Sequence, residues 1–294
     1  MLAFAANSVL CRLALAHTGI DAAGFTAIRL VAGAGVLWLL VMWRSGVRRR
    51  DPIRNGSWPS ALALLAYALG FSLAYVSLPA GTGALLLFGA VQVTMIGQGL
   101  RSGESLAAGK WIGLLLACAG LVALLLPGVS KPPLGSALMM LAAGVAWGVY
   151  SLRGRSAGAP LDATAGNFLR AAPLALVIVA CLHVVEPSGG RWDPAGVGYA
   201  LASGGLASGI GYAIWYTVLP SLKATTAATV QLSVPVITAV TGILLLAEPL
   251  TPRLLLASIA VLGGIALVLR GSPGMARTRV RPVRAGPPAG EPHA

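Results

Sequence analysis

The run Leu114-Leu-Leu-Ala-Cys-Ala-Gly-Leu-Val-Ala-Leu-Leu-Leu126 decides the fold class. No charge falls between Lys110 and Lys131, and the apolar residues follow one another without alternation. A strand of an outer-membrane barrel would alternate apolar and polar residues with a period of two. As a helix, the stretch is apolar on every face and can cross a hydrocarbon core of about 30 Å. The rest of the chain has the same character. Of 294 residues, 57% are hydrophobic and only 10% charged, with a mean hydropathy of +0.83. A soluble domain carries roughly a quarter charged residues. So little charge cannot cover a water-facing surface. A soluble enzyme, a disordered chain and a nucleic-acid-binding domain are excluded, despite the net charge of +13. The fold class is all-α: a polytopic membrane protein.

Ten spans are predicted, at 1–16, 24–43, 58–77, 80–100, 109–127, 134–152, 163–183, 195–217, 223–246 and 252–270. The stretch 272–294 is rich in Arg, Pro, Gly and Ala, cannot bury enough apolar surface to fold, and is expected to be a disordered basic tail. The positive-inside rule sets the orientation. One set of loops collects Arg44, Arg48 to Arg50, Arg54, Arg101, Lys110, Arg153, Arg155, Lys223 and the arginines from Arg270 onward; the other holds Lys131, Arg191 and Arg253. Both termini are therefore expected in the cytoplasm, in a cell inner membrane. The basic excess is explained by topology and by anionic lipid headgroups, with no need of nucleic acid. The first span starts at Met1 with no polar lead, and at about 15 residues it is short for a crossing. A signal peptide would put its positive charge ahead of the apolar run, whereas Arg12 comes near its end. The chain start is therefore expected to be set late, with part of helix 1 missing. An in-frame apolar stretch upstream would support this, and a stop directly before Met1 would sink it.

The chain matches itself. Asp21-Ala-Ala-Gly-Phe-Thr-Ala-Ile-Arg29 aligns with Asp162-Ala-Thr-Ala-Gly-Asn-Phe-Leu-Arg170, and Arg12 aligns with Arg153 at the same spacing. Gly103-Glu104-Ser-Leu106 aligns with Ala247-Glu248-Pro-Leu250, as do Thr94 with Thr238 and Gly120 with Gly264. Two five-helix repeats follow, at 1–128 and 134–271. Because five is odd, the second repeat must enter the membrane from the opposite side. Inverted repeats are the architecture of many secondary transporters, whose substrate site lies near the midplane between the halves.

The chain resembles the drug/metabolite transporter superfamily in its bacterial EamA-type branch. The resemblance rests on the five-plus-five layout and on two Gly/Ala-rich helices that each lead to an acidic residue and a closing helix. These are Gly83–Gly103, Glu104 and Lys110–Pro127, then Ala227–Ala247, Glu248 and Arg253–Arg270. It rests also on Trp147-Gly-Val-Tyr150, with Phe4-Ala-Ala-Asn7 as a weaker counterpart. It implies an exporter of amino acids or other small metabolites, commonly coupled to the proton gradient.

Polar groups inside a membrane are costly, so they are the candidates for function. The amides are Asn7, Gln92, Gln98, Asn167 and Gln231, which could hydrogen-bond a zwitterionic or polyol substrate or simply join helices. Three aromatic stripes accompany them: Tyr67, Phe71 and Tyr75; Trp147 and Tyr150; Tyr212, Trp215 and Tyr216. The expected substrate-binding set is Asn7, Tyr75, Gln92, Trp147, Tyr150, Trp215 and Gln231, with Pro235 as a gating element. Arg29 and Arg170 are the costliest residues. A structural role is favoured by Asp21 and Asp162, eight residues upstream; the sharper reading is a counter-ion for a substrate carboxylate. Glu104 and Glu248, at span ends, are expected to cap helices or meet solvent. No cluster of His, Cys, Asp or Glu points to a metal, and no cofactor is expected. Cys11, Cys118 and Cys181 read as small packing residues.

The expected partners are a small-molecule substrate and membrane lipids, and a homodimer is compatible. The alternatives are a sugar-phosphate or nucleotide-sugar carrier, an intramembrane enzyme, or a non-transporting scaffold. The first needs several basic groups at the cavity, and only Arg29 and Arg170 qualify. The second needs a catalytic constellation, and neither His-Glu-x-x-His nor Gly-x-Ser-x-Gly occurs.

Overall fold

The computed structural model describes residues 1–45, 55–101, 108–126, 132–185, 192–222, 227, 230–231 and 233–270. These residues form helices α1 (Leu2–His17), α2 (Ala22–Ser45), α3 (Trp58–Tyr75), α4 (Ala80–Arg101) and α5 (Ala108–Leu125). They continue with α6 (Leu134–Arg155), α7 (Pro160–Val185), α8 (Pro194–Ser221), α9 (Ser233–Leu246) and α10 (Pro252–Arg270). There is no strand among the described residues. Helices α2, α3, α4, α6, α7 and α8 are each long and apolar enough to cross a membrane. The apolar stretches of α1, α5, α9 and α10 are shorter. Glu104 and the tail 272–294 lie outside the described residues.

Local chemistry sets the helix ends. Ser57 accepts from the Ser60 N–H at the start of α3, where Pro59 loses no intrahelical bond. Asp193 caps α8 by accepting from the Ala195 and Gly196 N–H groups. The Gly19 N–H, then those of Ala195 and Gly196, hold the Asp193 carboxyl below the usual carboxylate range. Ala247, with φ of 50°, turns the chain between α9 and α10 through the left-handed region. A residue with a Cβ adopts it at a cost of about 1–2 kcal/mol. The turn brings Glu248 back onto the bundle.

The two halves interleave. Helix α5 packs on α10, α4 on α9, and α2 on α7. The contact of α3 with α6 is answered by that of α8 with α1, and the contact of α4 with α6 by that of α9 with α1. Exchanging the first five helices for the second five reproduces the pattern. Small residues allow these approaches in a medium where apolar burial gives helices no preference for one another over lipid. A methyl group on Gly264 of α10 would overlap the Gly113 carbonyl and the Ala117 nitrogen of α5.

Helix α8 is irregular in the middle. Residues Ser203–Ile210 are π-helical between two α-helical segments. Such bulges are rare and frequently mark functional sites. Three glycines lie in the bulge, and a Cβ on Gly204 would overlap the Arg29 carbonyl of α2. The close approach delivers the α8 hydroxyls to the α2 side chains.

Pro235 was expected inside a span. It lies in α9, and Gln231, one turn upstream, is helical too. Pro173 lies inside α7. Cys11 is buried, Cys118 half-buried and Cys181 exposed, and all three are free thiols.

Candidate functional site

The densest buried polar cluster lies where α1, α2 and α3 of the first half meet α8 of the second. At its centre is Arg29, the largest fully buried side chain, 1% exposed. Its Nε donates to Ser208 Oγ at 3.1 Å, and its Nη2 donates to Tyr67 OH at 2.9 Å and to Tyr212 OH at 3.2 Å. The guanidinium carbon stands 5.3 Å from the Tyr67 ring centroid and 5.0 Å from that of Phe71. Ring faces attract a cation, most strongly where water is excluded. Ser208 in turn donates to Asn7 Oδ1 at 3.3 Å, which also accepts from Ser203 Oγ at 2.7 Å.

The expected acidic partner is not there. Asp21 accepts from the Gly24 N–H at 2.7 Å, in the first turn of α2. Eight residues along a helix amount to about 12 Å, too far for contact. Among the described residues Arg29 makes no ion pair. Moving an ion out of water still costs several kcal/mol in a real protein. Hydroxyls and rings offset part of that cost and leave the charge unneutralised.

Aromatic rings surround the cluster. Trp147 of α6 lies 4.8 Å from Tyr67 and 5.0 Å from Tyr212, centroid to centroid. Phe4 meets Trp147, Tyr212 and Trp215 edge-on at 5.5, 5.6 and 5.7 Å. Tyr150 packs edge-on against Tyr216 at 5.3 Å. The Trp147 Nε1 donates to Gln231 Oε1 at 3.2 Å, while Gln231 Nε2 reaches the Ala227 carbonyl at 3.3 Å. The three aromatic stripes read from sequence thus converge in one closely packed, buried cluster, the aromatic chamber, whose rings touch one another. Of the expected binding set, Asn7, Trp147, Tyr150, Trp215 and Gln231 meet there. Tyr75 is buried at its edge, 4.7 Å from Phe71, and donates to the Ala80 carbonyl at 3.2 Å. Gln92, on α4, is buried as well.

Arg170 does not join them. It is half-buried, donates to the Gly166 carbonyl one turn back at 3.1 Å, and stands 5.8 Å from the ring of the exposed Trp58. Asn167, another candidate amide, accepts from the Ser57 N–H at 2.9 Å.

Two cavities lie at opposite ends of α4, a helix about 33 Å long. At its Arg101 end, a polar cavity of about 980 Å³ is lined by Ser57, Ser60, Gln98, Arg153, Arg155 and Asn167, among others. At its Ala80 end, a cavity of about 280 Å³ includes Glu248. Here the halves are tied together. Glu248 accepts from the Ala80 N–H through both oxygens, at 2.9 and 2.8 Å, and from Arg12 Nε at 3.4 Å. Arg12 Nη1 also donates to the carbonyls of Tyr75 and Val76 at 3.0 Å each. The sequence reading expected helix capping or solvent for Glu248. It does cap a helix, α4 of the other half, and it also pairs with Arg12. The only sequence sign of this link was the repetition of both residues, Arg12 with Arg153 and Glu248 with Glu104.

The EamA-like transporter family model matches residues 134–270. A Pseudomonas aeruginosa protein described as "Uncharacterized protein PA1977" is 56% identical over 269 residues, covering 92% of this chain and 91% of that protein. The chain belongs to the EamA-like transporter family. This EamA-like chain is a multi-pass membrane protein of the drug/metabolite transporter superfamily. It is also 29% identical over 260 residues to the threonine/homoserine exporter RhtA of Escherichia coli K12, covering 86% of this chain and 82% of that one. The RhtA of Salmonella typhimurium is 27% identical over 272 residues, covering 89% and 88%. A solved crystal structure superposes with a TM-score of 0.63 at 22% identity, covering 91% of this chain and 96% of that chain, and shares the EamA-like chain's fold.

Proposed function

We propose that the protein exports small organic metabolites, amino acids foremost, across the cell inner membrane by alternating access. The observation that carries this reading is the aromatic chamber, built by side chains from both halves. A rocking motion of one half against the other must open and close it. The exchange symmetry of the helix contacts supports two inverted five-helix repeats, with α1, α5, α9 and α10 completing ten crossings. The RhtA relatives support an amino-acid substrate. The basic loops support a cytoplasmic side for the 980 Å³ cavity with Arg153 and Arg155, and for both termini. The Arg12–Glu248 tie then closes the outer end, an arrangement suited to loading substrate from inside. Coupling to an ion gradient belongs to the same reading.

The substrate path runs past Trp147 and Gln231. The test is flux of a panel of labelled amino acids in proteoliposomes, with and without an imposed pH gradient. Wild type, Trp147→Ala and Gln231→Ala are compared. Gradient-dependent flux in the wild type, lost in either correctly inserted variant, is the expected result. Flux that both variants retain would move the path away from the chamber.

A further inference from the structure

Several buried polar atoms of the chamber have no partner, the Tyr150 and Tyr216 hydroxyls among them. Three buried nitrogen donors in it have no partner: Arg29 Nη1, Asn7 Nδ2 and Trp215 Nε1. They share one neighbourhood, because Ser208 joins Arg29 to Asn7 and Phe4 joins Trp215 to Tyr212. A buried donor without an acceptor is destabilising, and more so when the group is charged. The same place carries the unneutralised charge of Arg29. We infer that the chamber binds the carboxylate of a small monoanionic or zwitterionic solute, with Arg29 as its counter-ion.

The chemistry of the deficit selects this ligand. A carboxylate brings one negative charge and about four acceptor sites on two oxygens. Nε and Nη2 are already turned to Ser208, Tyr67 and Tyr212, which fixes the guanidinium and leaves Nη1 as the open donor. A phosphate dianion would ask for a second cation, and Arg170, the repeat-related arginine, is held outside the chamber against Trp58. The apolar remainder of the solute would lie against Phe4, Trp147 and Tyr212. The inference rests on the transporter reading for the route by which the solute arrives, and it names the class of solute.

The probes are 3-phenylpropionate and its neutral amide, 3-phenylpropionamide. Each is titrated against the full-length protein in nanodiscs and read by intrinsic tryptophan fluorescence, with Trp147 and Trp215 as reporters. Flux of labelled threonine in proteoliposomes runs in parallel. Wild type is expected to bind the acid at least tenfold more tightly than the amide. Arg29→Gln is expected to bind the two within about twofold, and Arg170→Gln to keep the wild-type preference. Equal affinity for acid and amide in the wild type overturns the inference, whether or not any variant folds. So does an acid preference that survives Arg29→Gln or disappears in Arg170→Gln. Acid preference without threonine flux breaks the amino-acid exporter reading and leaves the carboxylate site standing. Threonine flux without acid preference does the reverse.

Discussion

Arg29 and Arg170 stand at matching positions of two aligned stretches, each eight residues after an aspartate, yet they meet opposite surroundings. Arg29 is sealed among Tyr67, Phe71, Ser208 and Tyr212; Arg170 turns to its own helix backbone and an exposed tryptophan. The neighbours of the two helices make the difference. Helix α2 faces the π-helical bulge of α8, whose glycines let Ser208 come within reach of Arg29. The two aligned stretches each carry an arginine, and the opposing helix encloses only one of them. That asymmetry fits a site with a single anionic ligand.

The sharpest way to break the comparison is Arg29→Met, which removes the charge and keeps much of the volume. Threonine flux is expected to fall more than tenfold while the melting temperature in detergent stays level or rises. The substitution removes the cost of holding an unpaired charge out of water, which offsets the hydrogen bonds lost to Ser208, Tyr67 and Tyr212. A fall of many degrees would instead make Arg29 a structural pin. Next in size is Gly204→Ala. The added methyl meets the Arg29 carbonyl and, at 2.8 Å, Ala32 Cβ, so α8 must move off α2. Overpacking of this kind costs about 1–3 kcal/mol, and flux should fall with stability as Ser208 leaves Arg29. Unchanged melting and flux would show that the close approach is dispensable.

Glu248→Gln removes the charge that ties the Ala80 end together. Thiol labelling of a cysteine at Thr82, in the adjoining cavity, is expected to speed up severalfold, with stability falling by about 1 kcal/mol. Unaltered labelling would mean that the Ala80 end is held shut by other contacts. Arg170→Met should be the mildest change: about 1 kcal/mol or less in stability, since this half-buried side chain holds one backbone hydrogen bond and one ring contact, and flux within twofold of wild type. Loss of flux equal to that of Arg29→Met would erase the distinction between the two arginines.

Much of this architecture was legible in the chain. Uninterrupted apolar runs must hide their backbone in helices once water is removed, and that forced the all-α reading. The likeness of Asp21–Arg29 to Asp162–Arg170 pointed to two related halves, and the exchange pattern of the helix contacts agrees with that. The aromatic stripes could be placed on helix faces because period alone orients them. The sequence misled where it invited pairing by proximity. Asp21 looked like a partner for Arg29, yet side chains eight residues apart on a helix cannot touch.

By itself, then, the sequence determined the solvent this protein lives in, its helical character and the residue types available for chemistry. Each follows from local composition and periodicity, which one stretch of chain carries alone. The tertiary structure decided which of two equivalent arginines is buried. It put Ser208, Tyr67 and Tyr212 around Arg29, and it joined Arg12 to Glu248 across 236 residues. These depend on how helices approach in space, set by a glycine against a carbonyl or a π-bulge in one helix. No spacing along the chain encodes a contact between helices.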